Sequence, residues 1–340
     1  MSSHQLRLSV LDLATIYNEE SPHVTLQNST DLVQLADCLG YTRYWFAEHH
    51  NTAFQMSTSP DLLSAHAAAL TKNIRIGSGG IKVPNHSPLK VVENFSILEA
   101  LHPGRIDLGM GRAAGTDGIT NMALRNATEP LQGNEVMESL SEILAYFNRD
   151  FPSEHPFAKI SPSPDKSLRP ELFMLGSSNG GMQIASQLGV GFAFAGQINP
   201  DWAVPMLRTY REKFQPTIYQ QTPYSILATI VVCAETDEKA AYYAGPGELQ
   251  WVRWSTGQFR LPPPTVEEAA AHVYTAQEEK VREQNKGKFI IGSVENVKAQ
   301  LEQIATEAEV DEIMMLNMIT DKDARHRSLS LLADAFDLHS

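Results

Sequence analysis

Along the chain, hydrophobic and polar positions alternate between two periods. Short apolar runs rich in branched and aromatic residues recur: LRLSVLDL (6–13), YWFA (44–47), IRIGSGG (74–80), RIDLGMG (105–111), ELFMLGS (171–177), GFAFAG (191–196), SILATIVVCA (225–234) and EIMMLNM (312–318). Their length and composition predict buried strands. Between them lie longer segments of helical period. Ser87-Pro88 offers a serine cap followed by proline at the first helical position; Val91, Val92, Phe95, Leu98 and Leu101 then form one stripe, stopped by His102-Pro103-Gly104. Ser59-Pro60 repeats the start signal, and the stripe Leu32, Leu35, Ala36, Leu39 ends at Gly40. Eight strands alternating with helices predict a parallel sheet of the α/β class. Eight such units close into a (β/α)8 TIM barrel; an open doubly wound sheet is the competing arrangement.

Two stretches exceed a minimal barrel. Residues 149–170 are rich in proline and serine and read as a loop. Residues 235–290 hold Trp251, Trp254, Pro262-Pro263-Pro264 and a charged helix, VEEAAAHVYTAQEEKVREQ. They read as an insertion between the seventh and eighth strands, part of it a lid. GSVENVKAQLEQIATEA follows as a helix with Ser293 as its N-cap. Residues 1–340 are expected to form one domain.

Composition narrows the function classes. A formal charge of −13 argues against nucleic acid or an anionic membrane as a partner. No window of 18 apolar residues is free of charge, and the N-terminus lacks a signal-peptide pattern, so a cytoplasmic protein is expected. Cys38 and Cys233 form no CxxC pair and are expected to be buried, reduced packing residues.

In a barrel the reactive face is the rim at the carboxyl ends of the strands. The residues that follow each strand are unusual. After the second come Glu48, His49, His50 and Asn51; after the third, Gly79-Gly80; after the fourth, Gly111-Arg112. The fifth leads into Gly176, Ser177, Ser178, Asn179, Gly180 and Gly181, and the sixth into Gly196-Gln197.

Each feature has more than one reading. The 176–181 turn leaves N–H groups free at a helix start and suits a phosphate, or is an ordinary turn capped by Ser178 or Asn179. Arg112 binds an external dianion through its planar fork, or pairs with Asp117. Gly79-Gly80 gives a flat ligand close access to bare backbone, or is a strand-end bulge. On an extended chain His49 points opposite to Glu48 and His50. The histidines serve a metal, tidy the strand end, or supply a proton or polar anchor, His49 being the candidate donor with an ordinary pKa near 6.5. Glu48 would then be an anchor and His50 a polar wall. Phosphate donors beside a flat surface fit FMN better than a dinucleotide, because no helical pattern opens directly after GMGRAAG.

These residues also carry a resemblance. WFAEHHN, the block IRIGSGGIKVPNHSPLKVVENFSILEALHPGRIDLGMGRAAGTD, LGSSNGGMQIASQLG and, weakly, IIGSVENV resemble the bacterial luciferase-like flavin-dependent monooxygenases, more closely their single-chain subgroup, over nearly the whole length. The resemblance implies a (β/α)8 barrel that binds reduced FMN, supplied by a separate flavin reductase, and activates dioxygen for a small-molecule substrate. It implies a catalytic His49 and a non-proline cis peptide at Gly79–Gly80 against the isoalloxazine. It implies phosphate contacts from Arg112, Ser178 and the backbone around Gly181, and a homodimer. Two departures stand out: Ala114 where many relatives have proline, and NGGM where serine or threonine is usual. The alternatives are a deazaflavin-dependent dehydrogenase on the same barrel and a non-catalytic flavin-binding protein.

Overall fold

The computed structural model describes residues 6–129 and 135–339. Among the described residues nine strands alternate with helices: β1 (Arg7–Asp12), β2 (Arg43–Phe46), β3 (Arg75–Lys82), β4 (Ile106–Gly111), β5 (Glu171–Gly176), β6 (Gly191–Ala195), β7 (Ser225–Ala234), β8 (Phe289–Ser293) and β9 (Glu312–Leu316). All pair in parallel. Strands β1 to β7 follow in order, and β9 joins β7 to β1, closing an eight-stranded TIM barrel. The closed barrel is the expected fold; the open sheet is not.

β8 stands outside the ring and departs from expectation. Residues 235–290 are expected as an insertion, with a helix after them, and no strand at the junction. β7 explains it. Its first half pairs with β6 and β9 within the ring, while Ile230–Ala234 run past the rim and pair with β8. FIIGS is too short to announce itself by period.

The insertion starts with the helix Asp237–Ser255, which carries Pro246 inside it. The expected single charged helix is two, Val266–Ala271 and Ala276–Asn285. Thr265 and Glu268 form a capping box, and Thr275 and Glu278 form another, so the second box starts a new helix instead of continuing the first. Ser59, Ser87 and Ser293 do precede their helices, but none makes a side-chain cap bond. Cys233 is buried; Cys38, at the end of its helix, is exposed, contrary to expectation. Among the described residues no helix is long and apolar enough to cross a membrane.

Side-chain alternation sorts the strands into two cores. Val10, Tyr44, Phe46, Ile76, Ile81, Leu108, Met110 and Phe192 pack outward under the helices. Leu11, Trp45, Ala47, Phe173, Ala193, Ile226, Ala228 and Met314 pack inside the barrel. Below them lies an ionic plug. Arg43 binds Asp107 at 2.8 Å and Glu312 at 2.9 Å, and Arg75 binds Asp107 at 2.6 Å. Trp45 Nε1 donates to Asp107 at 2.9 Å, Tyr224 donates to Glu312 at 2.5 Å, and Ser9 also donates to Glu312. Burial alone would lower the pKa of Arg43; the facing carboxylates hold it well above its ordinary value. The plug shuts the lower end and leaves the upper end as the mouth.

Candidate active site at the barrel mouth

Strand β2 explains the abrupt EHH sequence. Trp45 and Ala47 face inward, so two-residue alternation turns His49 inward and Glu48 outward. Glu48 is fully buried beneath the loop after β3. Its carboxylate accepts from His50 Nε2 at 2.8 Å, Asn85 Nδ2 at 2.9 Å, His86 Nε2 at 2.9 Å and the Lys82 N–H at 2.7 Å. Burial pushes its pKa up, but donation from His86, Lys82 and Asn85 outweighs that and leaves the net shift downward. Glu48 is therefore the expected anchor. His50 is not the expected pocket wall, because its ring is bound to Glu48 on the far side of the strand.

His49 reaches the mouth with its N–H bonded to the Ser57 carbonyl at 3.0 Å. Its Nδ1 is buried without a hydrogen-bond partner. Burial, then the neighbouring Lys82 charge, lowers its pKa to about 4. The imidazole is neutral at pH 7. It can donate an N–H hydrogen bond or accept a proton, but it does not hold the spare proton expected of an ordinary histidine.

The Gly79–Gly80 peptide is cis, and the β3–β4 register shifts between Gly79 and Ile81. The strand-end bulge is present, and the close neighbours of both glycines are the barrel's own atoms. A Cβ on Gly79 would lie 2.7 Å from Leu11 Cδ1, and one on Gly80 would lie 2.6 Å from the Gly109 carbonyl oxygen. At Gly80 the obstacle is backbone, so only glycine fits; at Gly79 the tip of Leu11 would have to move. With Ala47, Gly111, Ala193 and Ala228, these residues keep the inward positions above the plug small.

Gly111 ends β4, and Arg112 reaches across to β5. The Arg112 guanidinium lies over Gly180, where an added Cβ would be 2.5 Å from Nη1, and Nη2 is 3.5 Å from Ser178 Oγ. Asp117 is engaged elsewhere, by Asn51 at 2.9 Å and the Thr120 hydroxyl at 2.6 Å. Among the described residues Arg112 makes no ion pair, so the Asp117 reading fails.

The Gly176-Ser177-Ser178 turn feeds the helix Asn179–Leu188. Gly176 and Gly181 let the helix sit against the strand end, a Cβ on Gly181 coming within 2.9 Å of Gly176 Cα. Asn199 Nδ2 donates to the Ser177 carbonyl at 3.2 Å and steadies the turn. Ser178 occupies the N-cap position, yet its hydroxyl makes no cap bond. Arg112, Ser178 Oγ and the uncapped first turn thus converge on one point. Such a cradle can hold a phosphate dianion.

The opposite side of the mouth is apolar and was not resolved residue by residue from sequence. Trp251 and Trp254 of the insertion pack with Leu13, Ile230, Leu316, Met318 and Phe289. Lys288 Nζ lies 4.7 Å from the Trp251 ring centroid and donates to the Ile198 carbonyl at 2.8 Å. Between this wall and the ends of β1 and β9 lies a small cleft lined by Leu13, Gly247, Gln250, Trp254, Leu316 and Met318. Gln197 Oε1, Gln250 Oε1, Trp251 Nε1 and Thr320 Oγ1 are buried without partners. The signal sequence offered for this side was its tryptophans and prolines, without their facing partners. Lys82 was also missed, since a lysine at the end of a strand reads as ordinary. The phosphate cradle and the unpartnered polar atoms together suit a phosphorylated ligand.

Comparison with known proteins follows the same line. The family model described as luciferase-like monooxygenase matches residues 6–312. The N-acetyl-S-alkylcysteine monooxygenase of Bacillus subtilis (strain 168) is 32% identical over 332 residues, which cover 97% of this chain and 98% of that protein. The solved structure of apo-MsnO8 is 35% identical with a TM-score of 0.87, over 98% of this chain and 99% of that one. The oxygenating constituent of 3,6-diketocamphane monooxygenase from the CAM plasmid of Pseudomonas putida, solved in complex with FMN, shares the fold. Its TM-score is 0.71 at 19% identity, over 96% of this chain and 97% of that one.

Proposed function

The chain belongs to the luciferase-like monooxygenase family, and from that premise we propose that it binds FMN at the barrel mouth as an FMN-dependent monooxygenase. It would take reduced FMN from a separate reductase and use dioxygen on a small organic substrate. One observation carries this reading: the ion-pair-free Arg112 faces a helix start whose own serine leaves it uncapped. In the proposed complex Arg112, Ser178 Oγ and the N–H groups around Gly181 hold the phosphate, with Gly176 and Ser177 shaping the turn. The cis Gly79–Gly80 turn is proposed to face the ring, with Gly111 beside it under the Lys82 stem.

Bound reduced FMN supplies the electrons for oxygen activation. The remaining tasks fall to side chains. His49, neutral and inward, hydrogen-bonds or takes a proton at the reacting centre. The Trp251–Trp254 wall keeps water out, and the helices within 240–290 act as the lid. A homodimer is part of the proposal, because the neighbouring helices Pro60–Leu70 and Pro88–Leu101 expose Leu62, Leu70, Ile97 and Leu101 on the outer surface. So is a cytoplasmic location, with the acidic charge of −13 suiting a free protein.

The test is to mix photoreduced FMN with aerated buffer, with and without excess protein, and follow the return of oxidised-flavin absorbance. The protein is expected to replace the rapid free reaction by a slower, protein-dependent one. An unchanged time course would refute the flavin-monooxygenase reading. Reduction of a substrate by reduced deazaflavin without oxygen uptake would move the chain to the dehydrogenase alternative.

A further inference from the structure

Lys82 has no role in the reading above, and its surroundings are unusual. Ile81 packs outward into the helix-side core, so alternation turns Lys82 toward the mouth. Its stem lies across two glycines of the β4 end and the loop beyond. Added Cβ atoms at Gly111 and Gly115 would come within 3.3 Å of Lys82 Cδ and 2.9 Å of Lys82 Cε. A Gly111 Cβ would be 3.6 Å from the ammonium itself. Residues with side chains at 111 and 115 would close the channel that the lysine occupies.

Lys82 is half-buried, and among the described residues its ammonium makes neither a hydrogen bond nor an ion pair. Its nearest carboxylate is Glu48. That group already accepts from His50, Asn85, His86 and the backbone N–H of Lys82, and it faces the outside of the barrel. A cation drawn out of water with no counter-charge is costly, and an incoming anion removes the cost. Beside it stands His49, whose buried Nδ1 is also unpartnered and whose titration feels the lysine charge. The phosphate has its own cradle at Arg112 and Ser178. Across the mouth stands the apolar wall of Leu13, Leu316, Met318 and Trp254.

We propose that Lys82 is a specificity-determining residue that, beside His49, binds an anionic oxygen of the substrate, so that the site takes small organic acids with a carboxylate head and an apolar body. This inference rests on the flavin-site reading for its location at the reacting centre. The anion itself could belong to substrate or to cofactor, and the experiment separates the two.

Calorimetric titrations of hexanoate and its uncharged amide, hexanamide, into the FMN-saturated protein provide the probe, at constant ionic strength. Wild type is expected to prefer hexanoate by about tenfold or more, the scale of one charge-assisted hydrogen bond. Lys82→Met should erase that preference while changing FMN affinity less than about twofold, and Lys82→Arg should keep part of it. Equal binding of the two probes to wild type, or binding of neither, would overturn the proposal. So would a Lys82→Met variant that loses FMN affinity about tenfold, which would make Lys82 a cofactor contact. If FMN does not bind wild type, the flavin reading fails separately; the two probes titrated into the protein alone then decide on Lys82 by the same preference.

Discussion

The two ends of this barrel treat polar groups in opposite ways. At the base Arg43, Arg75, Asp107 and Glu312 share their charges, and Trp45, Tyr224 and Ser9 complete the bonding. At the mouth His49 Nδ1 and Gln197 Oε1 are buried without partners, and among the described residues Arg112 lacks a carboxylate. A buried polar group without a partner costs roughly 1–3 kcal/mol, more when charged. The plug shares all four of its charges within the fold, whereas the groups at the mouth are left for something the fold itself does not supply. The difference separates the end that holds the barrel together from the end that waits for a ligand.

Breaking the base should have the largest effect. Asp107→Ala strips Arg43, Arg75 and Trp45 of a shared acceptor, and removing one member of a buried ion pair costs about 3–5 kcal/mol. Urea unfolding should show that loss, with FMN affinity per folded molecule intact. A variant as stable as wild type would mean that the plug is not what holds the lower end.

At the mouth the pattern should invert. His49→Ala is expected to cut turnover about 100-fold or more, the scale of acid–base assistance, while melting temperature and FMN affinity stay nearly unchanged. Early melting with normal turnover would instead make His49 a strand-end support.

The same histidine gives a smaller effect with a definite sign. Its folded pKa of about 4 lies below the ordinary value of about 6.5, so between those pH values the unfolded chain binds more protons than the folded one. This group therefore costs the fold nothing above pH 6.5, where it is neutral in both states, and destabilises it as pH falls toward 4. The urea midpoint of His49→Ala should fall less steeply over that window than that of wild type. Parallel slopes would mean that His49 titrates normally in the fold.

The smallest effect lies in the insertion. Thr275→Ala removes the cap of the helix Ala276–Asn285 and should cost about 1 kcal/mol locally. Proteolysis within 240–290 should quicken in the variant, and FMN should slow it in both proteins. Cleavage indifferent to FMN would argue against a lid.

How much of this was legible depended on the range over which each signal acts. Strands and helices declare themselves through local period, so all eight ring strands could be read, and the odd residues at their carboxyl ends marked the mouth. Gly79–Gly80 and the Arg112–Ser178 pair were legible as types at strand ends, helped by a resemblance spanning most of the chain. What stayed hidden was long-range. The plug joins Arg43 to Glu312 across 269 positions, and no local pattern announces such a partnership. The His49 pKa depends on burial and on Lys82, neither visible in EHHN. His50 looked like pocket lining until the outward Glu48 carboxylate claimed it. β8 failed because five residues at a helix boundary carry too little period.

The central claim is that the mouth recognises a flavin by its phosphate, at Arg112 and the helix that begins after Ser178. The direct measurement is fluorescence titration of wild type and Arg112→Ala with FMN and with riboflavin, which lacks the phosphate. Wild type should bind FMN more tightly, and Arg112→Ala should weaken FMN by about 2–3 kcal/mol while scarcely changing riboflavin. Equal affinity of wild type for the two flavins, or equal losses for both in the variant, would contradict it.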